Sequence, residues 1–167
     1  EIYTLSLHDA LPILRFICAL KENFRQLDAF VFSTSLVRIS RALQLRRLDL
    51  VLDAISRQAG DWSGGTKIGF CLEAFRERYG KQVLNGSPVV LIMSDGLDTG
   101  DTEVLEKQVT AIRNRSKKLI WLNPLKGMQG YQPVAKGMKT ALPHLDDFRS
   151  AHSLESILEL ENILEDA

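Results

Sequence analysis

A doubly wound, mostly parallel α/β sheet is the fold class this sequence predicts, and three observations carry the prediction. Val89-Val90-Leu91-Ile92-Met93 and Leu119-Ile120-Trp121-Leu122 are short, continuous apolar runs, the pattern of strands buried on both faces. Between them Leu105, Val109 and Ile112 recur at helical spacing, so the order is strand, helix, strand. Each strand stops on residues that break it: Ser94-Asp95-Gly96 after the first, Asn123-Pro124 after the second. A length of 167 residues suits one Rossmann-like domain, long enough to bury about two thirds of its unfolded surface.

The remaining elements follow in order. Ile13, Phe16, Ile17, Leu20 and Phe24 predict an amphipathic helix from about Pro12 to Arg25. A strand over 28–33, a polar connector and an extended piece at 36–39 suggest a hairpin. Leu48, Val51, Leu52 and Ile55 mark a second helix that Gly60 ends. The glycine loop Ser63-Gly64-Gly65 then leads into a helix with Ile68, Leu72 and Phe75 inward, running to Tyr79-Gly80. Asn85-Gly86-Ser87-Pro88 is a turn before the strand at 89–93. Asp101 or Thr102 caps the helix of Leu105, Val109 and Ile112, and basic residues Arg113, Arg115 and Lys117 gather near its negative end. After the strand at 118–123, a loop with Gly127 and Gly130 leads to a short helix over 134–141. An edge strand near 145–149 and a final helix capped by Ser153 complete the alternation, with no internal repeat or low-complexity linker.

Composition excludes several function classes. Lysine and arginine number 21 and so do aspartate and glutamate, a formal net charge of zero, whereas nucleic-acid binders carry a basic surplus on at least one face. The longest apolar runs are strand-length, too short for a membrane span. Cys18 and Cys71 lie far apart in helical patterns and read as reduced core thiols of a cytoplasmic protein. His8, His144 and His152 show no zinc spacing with either cysteine. Arg46-Arg47, Arg76-Glu77-Arg78 and Lys117-Lys118 read as solvated faces.

Residues 1–13 stand apart. They begin without methionine, have no basic leader, and resemble the translated sequencing-adapter tail found at the ends of some assembled reading frames. The expectation is that 1–13 are non-native and that a single native domain runs over 14–167.

The chemistry-bearing residues collect on two loops. In open α/β sheets, ligands bind beyond the carboxyl ends of the strands, which is where Asp95 falls. The Ser63-Gly64-Gly65 loop delivers the Thr66 hydroxyl at a helix start. A hydroxyl and a carboxylate are hard oxygen donors suited to a magnesium-sized cation. Two plainer readings compete: Asp95-Gly96 is a common turn, and Thr66 is a natural helix cap. Ser63, Gly64 and Gly65 could also form a backbone anion nest, but no G-x-x-x-x-G-K-[ST] loop is present. Asp98 and Asp101 read best as a solvated loop residue and a helix cap.

Several segments taken together resemble the von Willebrand factor A (VWA) domain of the CoxE-like family. They are Asp61-Trp62-Ser63-Gly64-Gly65-Thr66-Lys67-Ile68-Gly69, Ser94-Asp95-Gly96-Leu97-Asp98-Thr99-Gly100-Asp101 and Leu119-Ile120-Trp121-Leu122-Asn123-Pro124-Leu125. The pieces Gly130-Tyr131-Gln132-Pro133, His144-Leu145-Asp146 and Ala151-His152-Ser153-Leu154 fit the same family, and the likeness runs from about Leu14 to Leu160. The resemblance implies a metal-ion-dependent adhesion site. Thr66 and Asp95 match its metal ligands, Mg2+ is the implied cofactor, and Ser63, Gly64, Gly65, Gly96 and Asp98 line the partner-binding loops. It further implies a non-enzymatic, cytoplasmic accessory factor with no catalytic residues. Its partners would be a MoxR-type AAA+ ATPase and a metalloenzyme client of the carbon monoxide dehydrogenase type.

The chain departs from the family at one point. The Asp-x-Ser-x-Ser motif belongs on the central strand before the first helix, and the residues there, Glu1-Ile2-Tyr3-Thr4-Leu5, supply neither the aspartate nor the serines. The native first strand is therefore expected to be missing or replaced, with residues 1–7 filling its slot by backbone pairing alone. Two other readings remain: a small Rossmann-like Mg-dependent phosphoester enzyme using Asp95 and Asp98, and a metal-independent scaffold.

Overall fold

The computed structural model describes residues 26–45, 47, 49–53, 57 and 65–151. Strands β1 (Phe30–Phe32) and β2 (Leu36–Arg38) form an antiparallel hairpin in which Phe30 faces Arg38 and Phe32 faces Leu36. Helix α1 (Ser40–Gln44) follows, and residues 49–53 are helical. Then come α2 (Ile68–Arg78), α3 (Gly80–Val83), β3 (Val89–Met93), α4 (Thr102–Arg113), β4 (Lys118–Asn123), α5 (Lys136–Ala141), a 3-10 turn (Leu142–His144) and β5 (Asp147–Ser150). The last three strands pair in the order β3-β4-β5, both pairs parallel, with Val89 beside Lys118 and Ile120 beside Asp147. The predicted α/β class and the parallel pairing are present.

The sheet shows why β4 reads as one apolar run. Leu119 and Trp121 face a cluster built from Ile68, Leu72 and Phe75 of α2, Leu105, Val109 and Ile112 of α4, and Met138 and Ala141 of α5. Ile120 and Leu122 point the other way, beside Val89, Leu91, Met93, Leu27 and Ala151. All four are fully buried, so both faces of this strand are covered, and each side chain contributes about 1.5–3 kcal/mol of burial. On its own sheet β3 pairs on one edge only among the described residues, and the hairpin forms a separate two-stranded sheet. Phe30 ties that hairpin to α2 through an edge contact with Phe75 at 5.1 Å and a tilted contact with Tyr79, just past the helix, at 5.0 Å.

Local chemistry sets the element ends. The Asp101 side chain caps α4 by accepting the Glu103 N–H at 2.8 Å. Asp146 accepts the Leu119 N–H at 2.7 Å and pairs with Arg113 at 2.5 Å, which aligns the start of β4 with the approach to β5. His144 bonds Thr110 and Glu106 of α4.

Three details depart from the sequence expectation. Helix α1 lies in a polar stretch with no clear apolar period and was not anticipated. The helix expected from Val134 begins only at Lys136, because Ala135 is extended at ψ 136°. Arg76 is not a solvated charge: its Nε donates to Gln108 Oε1 at 2.6 Å, and Gln108, fully buried inside α4, donates to Glu73 at 3.1 Å. That network joins α2 to α4 and satisfies a polar side chain in the core. The expected helices at 12–25 and from Ser153, the strand at 1–7, Cys18, Trp62, His8 and His152 lie outside the described residues. None of the described helices is long and apolar enough to cross a membrane.

Cys71 is buried in α2 with its thiol against the Ser33 carbonyl at 3.4 Å. Burial, reinforced by the Asp98 charge, pushes its pKa up to about 11. A thiol pKa raised on folding stabilises the native state fully below its unfolded value of about 8.5, and that contribution is lost as pH rises through about 11. Cys71 in the native protein should therefore resist a disulfide-exchange reagent at pH 8 and react on unfolding. Urea melts from pH 8 to 11 should lose stability more steeply in the parent than in Cys71→Ala.

Candidate functional site

The carboxyl ends of β3 and β4 are bound to each other by side chains as well as by the ladder. Trp121 Nε1 donates to the Ser94 carbonyl at 2.8 Å, and the Ser94 N–H donates to Leu122 O at 3.0 Å. Asn123, the last residue of β4 and fully buried, donates from Nδ2 to the Asp95 carbonyl at 3.1 Å. The backbone of Asp95 is thus held on both sides while its side chain projects past the strand end. Its Oδ1 accepts the Leu97 N–H at 2.9 Å, the Asx turn that lets the chain reverse at Gly96. Its second oxygen has no hydrogen-bond partner among the described residues.

The Thr66 loop is stitched to this turn by backbone. Thr66 and Asp98 form a parallel bridge, and Thr99 donates to the Thr66 carbonyl from its N–H at 2.9 Å and its hydroxyl at 3.1 Å. Lys67 N–H donates to Ser33 O at 2.9 Å, which anchors the same loop to the hairpin turn. The Thr66 hydroxyl itself makes no hydrogen bond among the described residues. Thr66 does not cap α2; Lys67 occupies that position without a side-chain bond.

Asp98 corrects the sequence expectation. Expected as a solvated carboxylate on the partner face, it turns inward: Oδ1 accepts both Ile68 N–H and Gly100 N–H at 3.0 Å. Its Oδ2 is buried with no hydrogen-bond partner among the described residues. Asp98 locks the start of α2 to the 95–100 loop, a negative charge held by two helix-start and loop amides. Asp101, by contrast, is the exposed helix cap expected of it.

Gly96 is likewise an inward position. It is buried at φ +80°, and a Cβ there would lie 2.3 Å from Met138 Cγ. Across the same junction a Cβ on Gly137 would lie 2.5 Å from the Gly96 carbonyl oxygen and 2.9 Å from Asp98 Cβ. Gly65, at φ +70°, meets Thr99 in the same way, with 2.4 Å to its Cγ2. The close approach that these glycines allow is between loops of this chain. Ser63 and Gly64 lie outside the described residues.

The oxygens free to hold a cation are the Thr66 hydroxyl and the second oxygen of Asp95, with Asp98 Oδ2 buried at the same loop junction. Hard oxygen donors of this kind fit magnesium chemistry, although two or three leave much of an octahedral shell to water or to a partner. Among the described residues no group of three or more His, Cys, Asp or Glu side chains is placed to hold a metal ion. Sequence reasoning missed Asn123 and Tyr131: Asn123 Nδ2 also donates to the Tyr131 hydroxyl at 2.8 Å. The signal available was an asparagine ending an apolar strand, a polar residue in a place that burial makes costly unless its bonds are met.

Among the described residues, a three-stranded parallel sheet with α2, α4 and α5 packed on one face and paired loops at its carboxyl edge defines an α/β domain of the VWA, Rossmann-like class. The family model of the VWA domain containing CoxE-like protein matches residues 6–157, and the chain belongs to that family. Comparison with curated proteins gives no match.

Proposed function

We propose that this chain is a non-enzymatic, cytoplasmic docking module in which Thr66 and Asp95 hold Mg2+ and a partner carboxylate completes the coordination. The carrying observation is that the Thr66 loop and the Asp95 turn are joined by the Thr66–Asp98 bridge and the Thr99 bonds, with the Thr66 hydroxyl and one Asp95 oxygen left uncommitted. Bound Mg2+ would supply an open position for an incoming oxygen ligand. The protein's part is to hold the two donors in fixed register and to present an apolar contact beside them, since Leu97 is 55 % exposed next to Asp95. The family supports a role in protein interaction, and the partners we assign are a MoxR-type AAA+ ATPase and a metalloenzyme client of the carbon monoxide dehydrogenase type.

Calorimetric titration of Mg2+ into the full chain tests the site. We expect weak, saturable binding that Asp95→Ala abolishes and Thr66→Val reduces several-fold. Binding that Asp95→Ala leaves unchanged overturns the assignment. The sparse donor set favours one second reading, a metal-independent scaffold. Retention of a purified MoxR-type ATPase separates the two: loss of retention in EDTA supports the metal-gated site, and indifference to EDTA supports the scaffold.

A further inference from the structure

The loop after β4 brings a phenol to the site that neither the metal donors nor the core requires. Asn123 is the key to how it is oriented. Its Oδ1 accepts the Leu125 N–H at 2.8 Å, so the amide nitrogen must be the atom that faces Asp95 and Tyr131. An amide nitrogen only donates. The Tyr131 oxygen is therefore the acceptor of the 2.8 Å bond, and its own proton is left to point elsewhere. Among the described residues no acceptor takes that proton, and the side chain is only half-buried. Burial, with the Asp95 charge adding to it, holds the phenol above its ordinary range, so the proton stays in place at neutral pH.

One buried amide thus fixes two things at once, the Asp95 carbonyl and a hydroxyl whose hydrogen is directed away from Asn123. Beside the carboxylates of Asp95, Asp98 and Asp101 the loops carry two exposed cations that attract an anion. Lys67, next to Thr66, and Lys136, next to the Gly137 contact, are exposed, and neither forms an ion pair among the described residues.

We infer that Tyr131, oriented by Asn123, donates a hydrogen bond to the carboxylate of an acidic partner segment docked at the Thr66–Asp95 loops, and so sets specificity for that partner. The inference rests on the docking reading above, but it concerns a donor that acts on the ligand and not on the metal. The hydroxyl completes recognition of the carboxylate: one oxygen goes toward the open position and the other accepts from the phenol. A charge-assisted bond of this kind is worth about ten-fold or more in affinity.

The test uses the full chain and a fluorescent hexaglutamate peptide, followed by anisotropy with and without Mg2+, alongside Mg2+ titration alone. Tyr131→Phe keeps the ring and removes only the hydroxyl; Gln132→Ala, at the exposed neighbouring position, is the control. The expected result is about ten-fold weaker hexaglutamate binding in Tyr131→Phe, with Mg2+ affinity and melting temperature unchanged and the control like the parent. Equal peptide affinity in Tyr131→Phe and parent overturns the inference, as does a parent that binds no hexaglutamate. A fall in melting temperature that matches the loss of binding also overturns it, because the role is then structural. Tyr131-dependent peptide binding with no Mg2+ uptake upholds the inference while the metal reading fails, so the two failures are distinguishable.

Discussion

Trp121→Ala should destabilise the protein by about 3–5 kcal/mol, the range for emptying a fully buried large aromatic site. The indole lies at the centre of the sheet and touches the α2, α4 and α5 side of the core, where there is little freedom to collapse into the cavity. The substitution also removes the donor to the Ser94 carbonyl, one residue before Asp95. Trp121→Phe separates the two effects: it keeps most of the ring volume and loses the hydrogen bond, and should cost about 1–3 kcal/mol. Urea unfolding of the three proteins measures this directly. An alanine variant within about 1 kcal/mol of the parent would contradict the packing described here.

Gly137→Ala should be the next most damaging small change, at about 2–3 kcal/mol. The added methyl would lie 2.5 Å from the Gly96 carbonyl oxygen, a backbone atom one residue beyond the Asp95 carbonyl that Asn123 holds. It cannot swing aside as a side chain could. The relief available is to push α5 away from the Asp95 turn, which uncovers Met138 and separates the loops that carry the site. The contrast is Gly130→Ala. That glycine has open space around a Cβ, so only its φ of +78° penalises the change, and the loss should be about 1 kcal/mol. Thermal melts that rank the two variants the other way round would remove the loop junction as the tight point of the fold.

Much of the fold was legible because burial on both faces writes itself into composition. The Val89–Met93 and Lys118–Asn123 strands, the inward residues Leu105, Val109 and Ile112, and the Asp101 cap all follow from period and local chemistry. Helix α1 was not legible, since five residues hold too little periodicity to distinguish a helical turn from a loop. In the candidate site, Thr66 and Asp95 could be named from where they sit, a helix start and a strand end. Asp98 was misread for a physical reason: a carboxylate five residues past a strand in a glycine-rich loop has the composition of a solvated turn. The amides that draw it inward come from Ile68 and Gly100, and the first of these is thirty residues away. Arg76 was misread likewise, looking like an exposed helix position until α2 and α4 are packed together and it meets Gln108.

What the sequence by itself determined is the order of strands and helices, their inward faces and the two loops that carry oxygen donors. These depend on side-chain period, capping and turn chemistry, which act over a few residues. Only the tertiary structure decided which loop touches which, that Asp98 and Gly96 face inward, and that Asn123 donates both to the Asp95 carbonyl and to the Tyr131 hydroxyl. Those outcomes depend on close contact between segments distant in the chain, where a few tenths of an ångström and one shared hydrogen-bond donor decide the arrangement, and local sequence carries no record of that.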